Sequence, residues 1–167
     1  IIGQRKGLLE SVELIAKITS VYKNKFIIAG PIFNKIYWEK VKSLLKDYKI
    51  NYDYVGEISS NDINKLLRKT NYLITCSKKE GLPNIVLEAL SNGVPVIGSS
   101  IEPHKELIVD GYNGFLLNNS KKNFLLWKDK SFYNRLSSNA IKSISEFDII
   151  KIKEKYKNLY SSLILQC

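Results

Sequence analysis

Short apolar runs rich in β-branched and aromatic residues alternate along this chain with stretches whose apolar residues recur at helical spacing, and that alternation leaves few folds open. Phe26 to Gly30, Tyr52 to Gly56, Tyr72 to Cys76, Val94 to Gly98 and Phe115 to Leu117 read as strands. Before the first of them, Leu9, Val12, Ile15, Ala16 and Ile18 mark a helix over Leu8 to Tyr22. The next helix spans Ile36 to Tyr48, with Val41, Leu44 and Leu45 on one face. Ser59, Ser60, Asn61 and Asp62 offer N-caps for a helix running through Leu67, and another follows the Gly/Pro turn near Gly81. Asp110 to Gly114 is a turn before the last strand. Strands alternating with helices predict an α/β fold: a Rossmann-like parallel sheet with helices on both faces. Beyond Leu117 two helices follow without a strand between them, Ser131 to Glu146 and Asp148 to Leu165.

With 167 residues, 44% of them hydrophobic, the chain has material for one core and one domain over 1–167. It contains no methionine and opens on Ile1-Ile2-Gly3 as if partway along a strand, so a fragment lacking an N-terminal domain is expected. Cys76 and Cys167 form no disulfide framework and fit a reducing, cytoplasmic setting. No apolar run reaches the roughly 18 to 20 residues needed to span a bilayer. Lys and Arg number 26 against 16 Asp and Glu, a net charge of +10, which directs attention to acidic partners. Most of that charge is lysine scattered between apolar positions, as on solvated helix faces. The last helix opposes an apolar stripe of Ile149, Ile152, Tyr156, Leu159, Tyr160 and Leu163 to Lys151, Lys153, Lys155 and Lys157. Such a helix suits packing on a neighbouring domain, or peripheral contact with an anionic membrane. Aromatic readout motifs and zinc-finger spacings are missing, so no nucleic acid is expected as a partner. A basic nucleic-acid or membrane-surface module without catalysis is the alternative, and net charge alone supports it.

Open parallel sheets bind ligands outside the carboxyl ends of their strands. The segments leaving those ends are Gly3 to Gly7, Gly30-Pro31, Gly56-Glu57, Ser77 to Pro83 and Ser99-Ser100. Arg5 and Lys6 therefore share an edge with Glu80. Glu80 sits in the turn and Glu88 about one turn into the helix that this turn launches, beside an N-terminus that favours an anion. Carboxylates beside an anion site suit hydroxyl recognition, and phosphate flanked by hydroxyls describes a nucleotide sugar. His104, the one histidine, falls after a strand end, where a solvent-facing loop or helix start is expected in preference to a catalytic base. Cys76, Tyr54, Tyr72, Trp38 and Trp127 are expected to serve packing.

Glu80-Gly81-Leu82-Pro83-Asn84 with Glu88-Ala89-Leu90, Gly93-Val94-Pro95-Val96-Ile97, Glu106-Leu107-Ile108 and Asp110-Gly111 with Asn113-Gly114-Phe115 carry a resemblance. From Gly3 onward the chain resembles the C-terminal, donor-binding half of a retaining family 4 (group 1) glycosyltransferase of GT-B fold, of the bacterial surface-polysaccharide type. The resemblance implies that Glu80 holds donor-sugar hydroxyls and Glu88 the ribose diol. It places Gly3, Gly81, Leu82, Pro83, Asn84 and Ile85 against sugar and pyrophosphate, and Gly56, Glu57 and Ile58 against the base. Arg5 and Lys6 resemble the basic pair that neutralises the leaving diphosphate, although Gln4 follows Gly3 where the family usually has arginine. Glu106 is expected to order its loop. The implied reaction is metal-independent, with no cofactor. It would use a UDP- or GDP-sugar donor and a glycan or lipid-linked acceptor held by a missing N-terminal domain. Nucleotide-sugar 2-epimerases and phosphorylases share the architecture, but their histidine/glutamate motifs and pyridoxal lysine site are not found here.

Overall fold

The computed structural model describes residues 2–19, 25–117 and 129–164. In chain order the elements are α1 (Leu8–Thr19), β1 (Phe26–Ala29), α2 (Lys35–Asp47), β2 (Tyr52–Gly56), α3 (Ser60–Leu67), β3 (Leu73–Thr75) and α4 (Asn84–Ser91). They continue with β4 (Val96–Ser99), α5 (Glu102–Lys105), β5 (Gly114–Leu117), α6 (Lys130–Ser143) and α7 (Ile149–Ile164). Short 3-10 turns at Gln4–Lys6 and Ser145–Phe147 precede α1 and α7. The expected extension of the first helix to Tyr22, and Trp127, lie outside the described residues.

Polar caps set several helix starts. The Asn34 side chain accepts from the Tyr37 N–H, Ser59 from Asp62 and Asp129 from Phe132, each satisfying a donor that has no partner within its helix. From its cap, α2 turns Tyr37, Trp38, Val41 and Leu45 inward, a helical spacing that seats one face on the sheet. Trp38 meets Tyr54 of β2 at 4.9 Å between ring centroids, and the Tyr54 hydroxyl donates to the Gly30 carbonyl. Trp38 is buried as expected, whereas Tyr54 packs against it from an exposed position.

All strand pairs are parallel, but the single sheet expected from the sequence is divided. β1 pairs with β2, with Phe26 opposite Tyr52, and β4 lies between β3 and β5, with Ile97 opposite Ile74 and Phe115. Pairing on β4 begins at Val96, later than the expected Val94, because Pro95 has no N–H to give. Ile2, Val12, Ile15, Ile28, Trp38, Val41 and Leu45 form a core around the first block. Val86, Ala89, Leu90, Val94, Val96, Ile108 and Ala140 form one beneath the second, joining α4 to α6.

The Asp110 to Gly114 turn acts structurally. Asp110 accepts from the Leu116 N–H, while the buried Asn113 donates to the Leu107 carbonyl and the Ser143 hydroxyl and accepts from the Val109 N–H. These bonds hold β5 to α6. The Glu106 side chain is exposed at the end of α5. On α7, Ile149, Ile150, Tyr156, Leu159, Tyr160 and Leu163 are exposed. Glu146 holds Lys151 and Lys155 at 2.8 and 3.3 Å. No described helix is long and apolar enough to cross a membrane.

Candidate functional site at the carboxyl edge

The loops leaving β3 and preceding α1 are fastened to each other. Lys78 N–H donates to the Arg5 carbonyl at 2.9 Å, and its ammonium reaches Glu10 at 2.7 Å. Gly7 closes the Gln4–Lys6 turn with φ +64, and its Cα lies against the Cys76 carbonyl, where a Cβ would stand 1.9 Å from the oxygen. A left-handed residue with no room for a side chain must be glycine. That contact sets Lys6 opposite Glu80: Nζ lies 2.6 Å from Oε1, with the side chains 31% and 10% exposed. Glu80 therefore does not cap α4, whose N-cap is Pro83 with no side-chain hydrogen bond.

Burial raises the Glu80 pKa, but hydrogen bonds from Lys6 and Ser77 and the charges of Lys6 and Arg5 outweigh it, leaving the value below the ordinary carboxylate. Glu80 is thus an anion held between cations. Lys6, Glu57, Ile58, Ser77, Glu80 and Ile85 line one cavity of about 880 Å³. Arg5 stands outside it, exposed on the 3-10 turn, though its charge reaches Glu80. Glu88, one turn into α4, is half-buried and outside that lining, and no described residue pairs with its carboxylate. Gly81 and Leu82 are exposed at the mouth of α4, with Asn84 exposed at its first position and Pro83 buried beneath. Nothing lies within 4 Å of a Cβ built on Gly3, Gly56 or Gly81, so the side-chain direction at each is unobstructed.

His104 corrects the expectation of a solvent-facing position: it begins a helix, but it is fully buried. Its Nδ1 lies 2.9 Å from the Ser99 carbonyl and 3.2 Å from the Ser99 hydroxyl, which in turn donates to the Ser77 carbonyl. Through Ser77, the chain of polar contacts runs on to Glu80. Gly98 makes the space, since a Cβ there would meet Nδ1 at 3.2 Å and Ile108 Cδ1 at 2.6 Å. The sequence signal for this support was the glycine-serine pair ending β4. His104 Nε2 has no partner among the described residues, and burial lowers the imidazole pKa against the opposing pull of the Ser99 carbonyl and Glu80. A depressed pKa means that the unfolded chain takes up a proton first as pH falls. Stability contributed by the neutral ring is present above pH 6.5 and is lost as pH drops towards the folded value. Urea midpoints measured from pH 7.5 to 5 should fall for the wild type and flatten for His104→Gln; equal slopes would refute a buried neutral imidazole. Burial also pushes the Cys76 thiol up, consistent with a packing role.

The family model for glycosyl transferases group 1 matches residues 2–143. An alpha-1,4-N-acetyl-D-galactosaminyltransferase of Campylobacter jejuni, named for a diNAcBac-PP-undecaprenol-linked glycan, is 33% identical over 147 residues, covering 83% of this chain and 39% of that protein. An alpha-1,3-galactosyltransferase of Escherichia coli, named for UDP-Gal and GlcNAc-diphosphoundecaprenol, is 29% identical over 136 residues, covering 73% of this chain and 35% of that protein. The chain thus spans well under half the length of these relatives. Among solved structures, Anabaena HepE with UDP and glucose superposes with a TM-score of 0.80 at 21% identity, over 96% of this chain and 46% of that one. The C-terminal domain of a Francisella tularensis group 1 protein, LpcC, gives 0.73 at 21% identity over 89% and 83%. The chain belongs to the group 1 glycosyltransferases, and its fold is that of the C-terminal domain of a GT-B enzyme.

Proposed function

We propose that this chain binds the UDP- or GDP-sugar donor of a retaining glycosyltransferase that builds surface polysaccharide on a glycan or lipid-linked acceptor. The observation that carries the reading is the Lys6–Glu80 pair, at the carboxyl edge of a parallel sheet and beside the loop that opens α4. Lys6 and Arg5 receive the diphosphate as the sugar–phosphate bond breaks and its electron pair leaves on the phosphate oxygen. Charge developing there is stabilised by cations already in place, which is where the barrier falls most. Glu80 accepts hydrogen bonds from sugar hydroxyls near the anomeric carbon and Glu88 from the ribose diol, while Glu57 and Ile58 face the base. The unobstructed side-chain directions at Gly3, Gly56 and Gly81 leave room for close approach. The transfer needs no metal on this reading, because cationic side chains take its place at the diphosphate. The acceptor is held by a domain outside this chain, closing over the cleft to exclude water. The names of the Campylobacter and Escherichia relatives support a lipid-diphosphate acceptor, and the UDP bound by HepE supports a uridine nucleotide. The protein works in the cytoplasm, and the lysines of α7 suit a peripheral contact with an anionic membrane.

Calorimetric titration with UDP, GDP and their sugars tests the donor site. Binding should survive EDTA. Loss of two charge-assisted hydrogen bonds in Glu88→Ala should weaken nucleoside diphosphate binding about tenfold or more, leaving inorganic pyrophosphate unchanged. Indifference to Glu88→Ala, or no binding at millimolar nucleotide, would refute the assignment.

A further inference from the structure

His104 forms no hydrogen bond to Lys6 or Glu80, yet its bonds are unusual for a side chain that only fills space. It is fully buried on the short α5, beside the end of β4, in the space that Gly98 leaves. Nδ1 lies 2.9 Å from the Ser99 carbonyl. A carbonyl can only accept, so Nδ1 carries the hydrogen, and the neutral ring keeps Nε2 as a bare acceptor. That acceptor has no partner among the described residues. An unpaired buried acceptor is destabilising in a way that a leucine of similar volume is not, so packing alone does not account for an imidazole here. What leucine could not supply is the Nδ1 hydrogen.

That hydrogen leads towards the donor site. The Ser99 hydroxyl, 3.2 Å from Nδ1, donates to the Ser77 carbonyl. β3 and β4 stop pairing at Thr75 and Gly98, so this side-chain bond ties the two segments together beyond the end of their ladder. Sharing the Nδ1 hydrogen as an acceptor leaves the Ser99 hydroxyl its own hydrogen for Ser77. Ser77 is buried in turn, its side chain hydrogen-bonds Glu80, and the Thr75 hydroxyl lies 3.4 Å from its own. One residue on, the Lys78 N–H is held by the Arg5 carbonyl. The loop carrying Glu80 is thus gripped from β4 at Ser77 and from the Gln4–Lys6 turn at Lys78.

We infer that His104 is a positioning residue for the donor site: its Nδ1–H sets the Ser99 hydroxyl on the Ser77 carbonyl, and Ser77 in turn aims the Glu80 carboxylate. That the carboxylate is aimed at sugar hydroxyls rests on the proposed function. A misplacement of about 1 Å at a reacting centre can cost about a hundredfold in rate, so a buried group that touches no substrate can still govern transfer.

Three variants of this chain test the inference. His104→Leu removes the ring hydrogen, Ser99→Ala cuts the path one step later with little change of volume, and His104→Asn keeps an amide donor near the Nδ1 position. Titration of the Glu80 side-chain carboxyl, followed by carbon NMR, reports the bond from Ser77. Because that bond lowers the Glu80 pKa, the value should rise in His104→Leu and Ser99→Ala and return towards wild type in His104→Asn. Should His104→Leu fail to fold, Ser99→Ala carries the same readout. An unchanged Glu80 titration in Ser99→Ala, or His104→Asn behaving as a folded His104→Leu does, would overturn the inference.

Calorimetry then compares UDP-galactose with UDP, and GDP-mannose with GDP. The affinity of the sugar-bearing nucleotide relative to the bare one should fall about fivefold in Ser99→Ala, with no further fall when Ser99→Ala is added to Glu80→Ala. A fall that persists without Glu80 would show that Ser99 acts elsewhere, against the inference. If Glu80→Ala itself leaves the ratio unchanged, the sugar role of Glu80 fails, while the carboxyl titration still decides whether His104 positions it.

Discussion

Gly7→Ala should destabilise the chain by about 3 kcal/mol, combining a left-handed conformation disfavoured by about 1 to 2 kcal/mol with overpacking of typically 1 to 3. The added methyl would sit 1.9 Å from the Cys76 carbonyl oxygen and 2.6 Å from its carbon. These are backbone atoms at the end of β3, so relief requires the loop carrying Lys6 to move away from the loop carrying Glu80. Gly3→Ala is the matched control, since Gly3 has extended backbone with φ −170 and nothing within 4 Å of its Cβ position. Urea unfolding reads both. A Gly7→Ala shift no larger than that of Gly3→Ala would show that the contact yields, and with it that the two loops are not rigidly registered.

The second large effect falls on turnover. On the proposed reading, Glu80→Ala should lower glycosyl transfer by about 10² to 10³, the scale seen when one preorganised polar group is removed from a reacting centre. Binding of the nucleoside diphosphate without its sugar should hold or tighten, because Lys6 loses the carboxylate that occupies it at 2.6 Å. That opposition separates a role at the sugar from a role in folding, which would weaken both together. Turnover within tenfold of wild type, or a parallel loss of nucleotide affinity, would remove Glu80 from the reacting centre.

Local periodicity, and for α3 the capping run from Ser59, made the helices legible: α2 and α6 begin within one residue of the expected Ile36 and Ser131, and α3 directly follows Ser59. The convergence of Lys6 and Glu80 also followed from strand order, because both leave carboxyl ends on one edge. Other features depended on neighbours that no local pattern encodes. The division of the sheet could not be read from runs such as Phe26 to Ala29 and Leu73 to Thr75, since a strand looks the same whether its flank is filled or open. His104 follows a strand end, in Glu102-Pro103-His104-Lys105-Glu106, a position that reads as a solvent-facing loop or helix start. What draws it inside is a missing side chain at Gly98 and two hydrogen-bonding groups of Ser99, six and five residues before it. Glu88 and Arg5 share the motif but not the cavity lining, because a spacing in sequence fixes a helix face and leaves its distance from the next loop undetermined.

The 2.6 Å contact between Lys6 and Glu80 also sets an order of events. One ammonium cannot serve a carboxylate and an arriving diphosphate at full strength, so each exchange of partner releases Glu80 as it captures phosphate. On the proposed reading, the sugar-recognising carboxylate is masked until the nucleotide end of the donor has been engaged. Free monosaccharide, which brings no phosphate to unlock the pair, would then find no acceptor for its hydroxyls, and the site would respond only to sugar delivered in activated form.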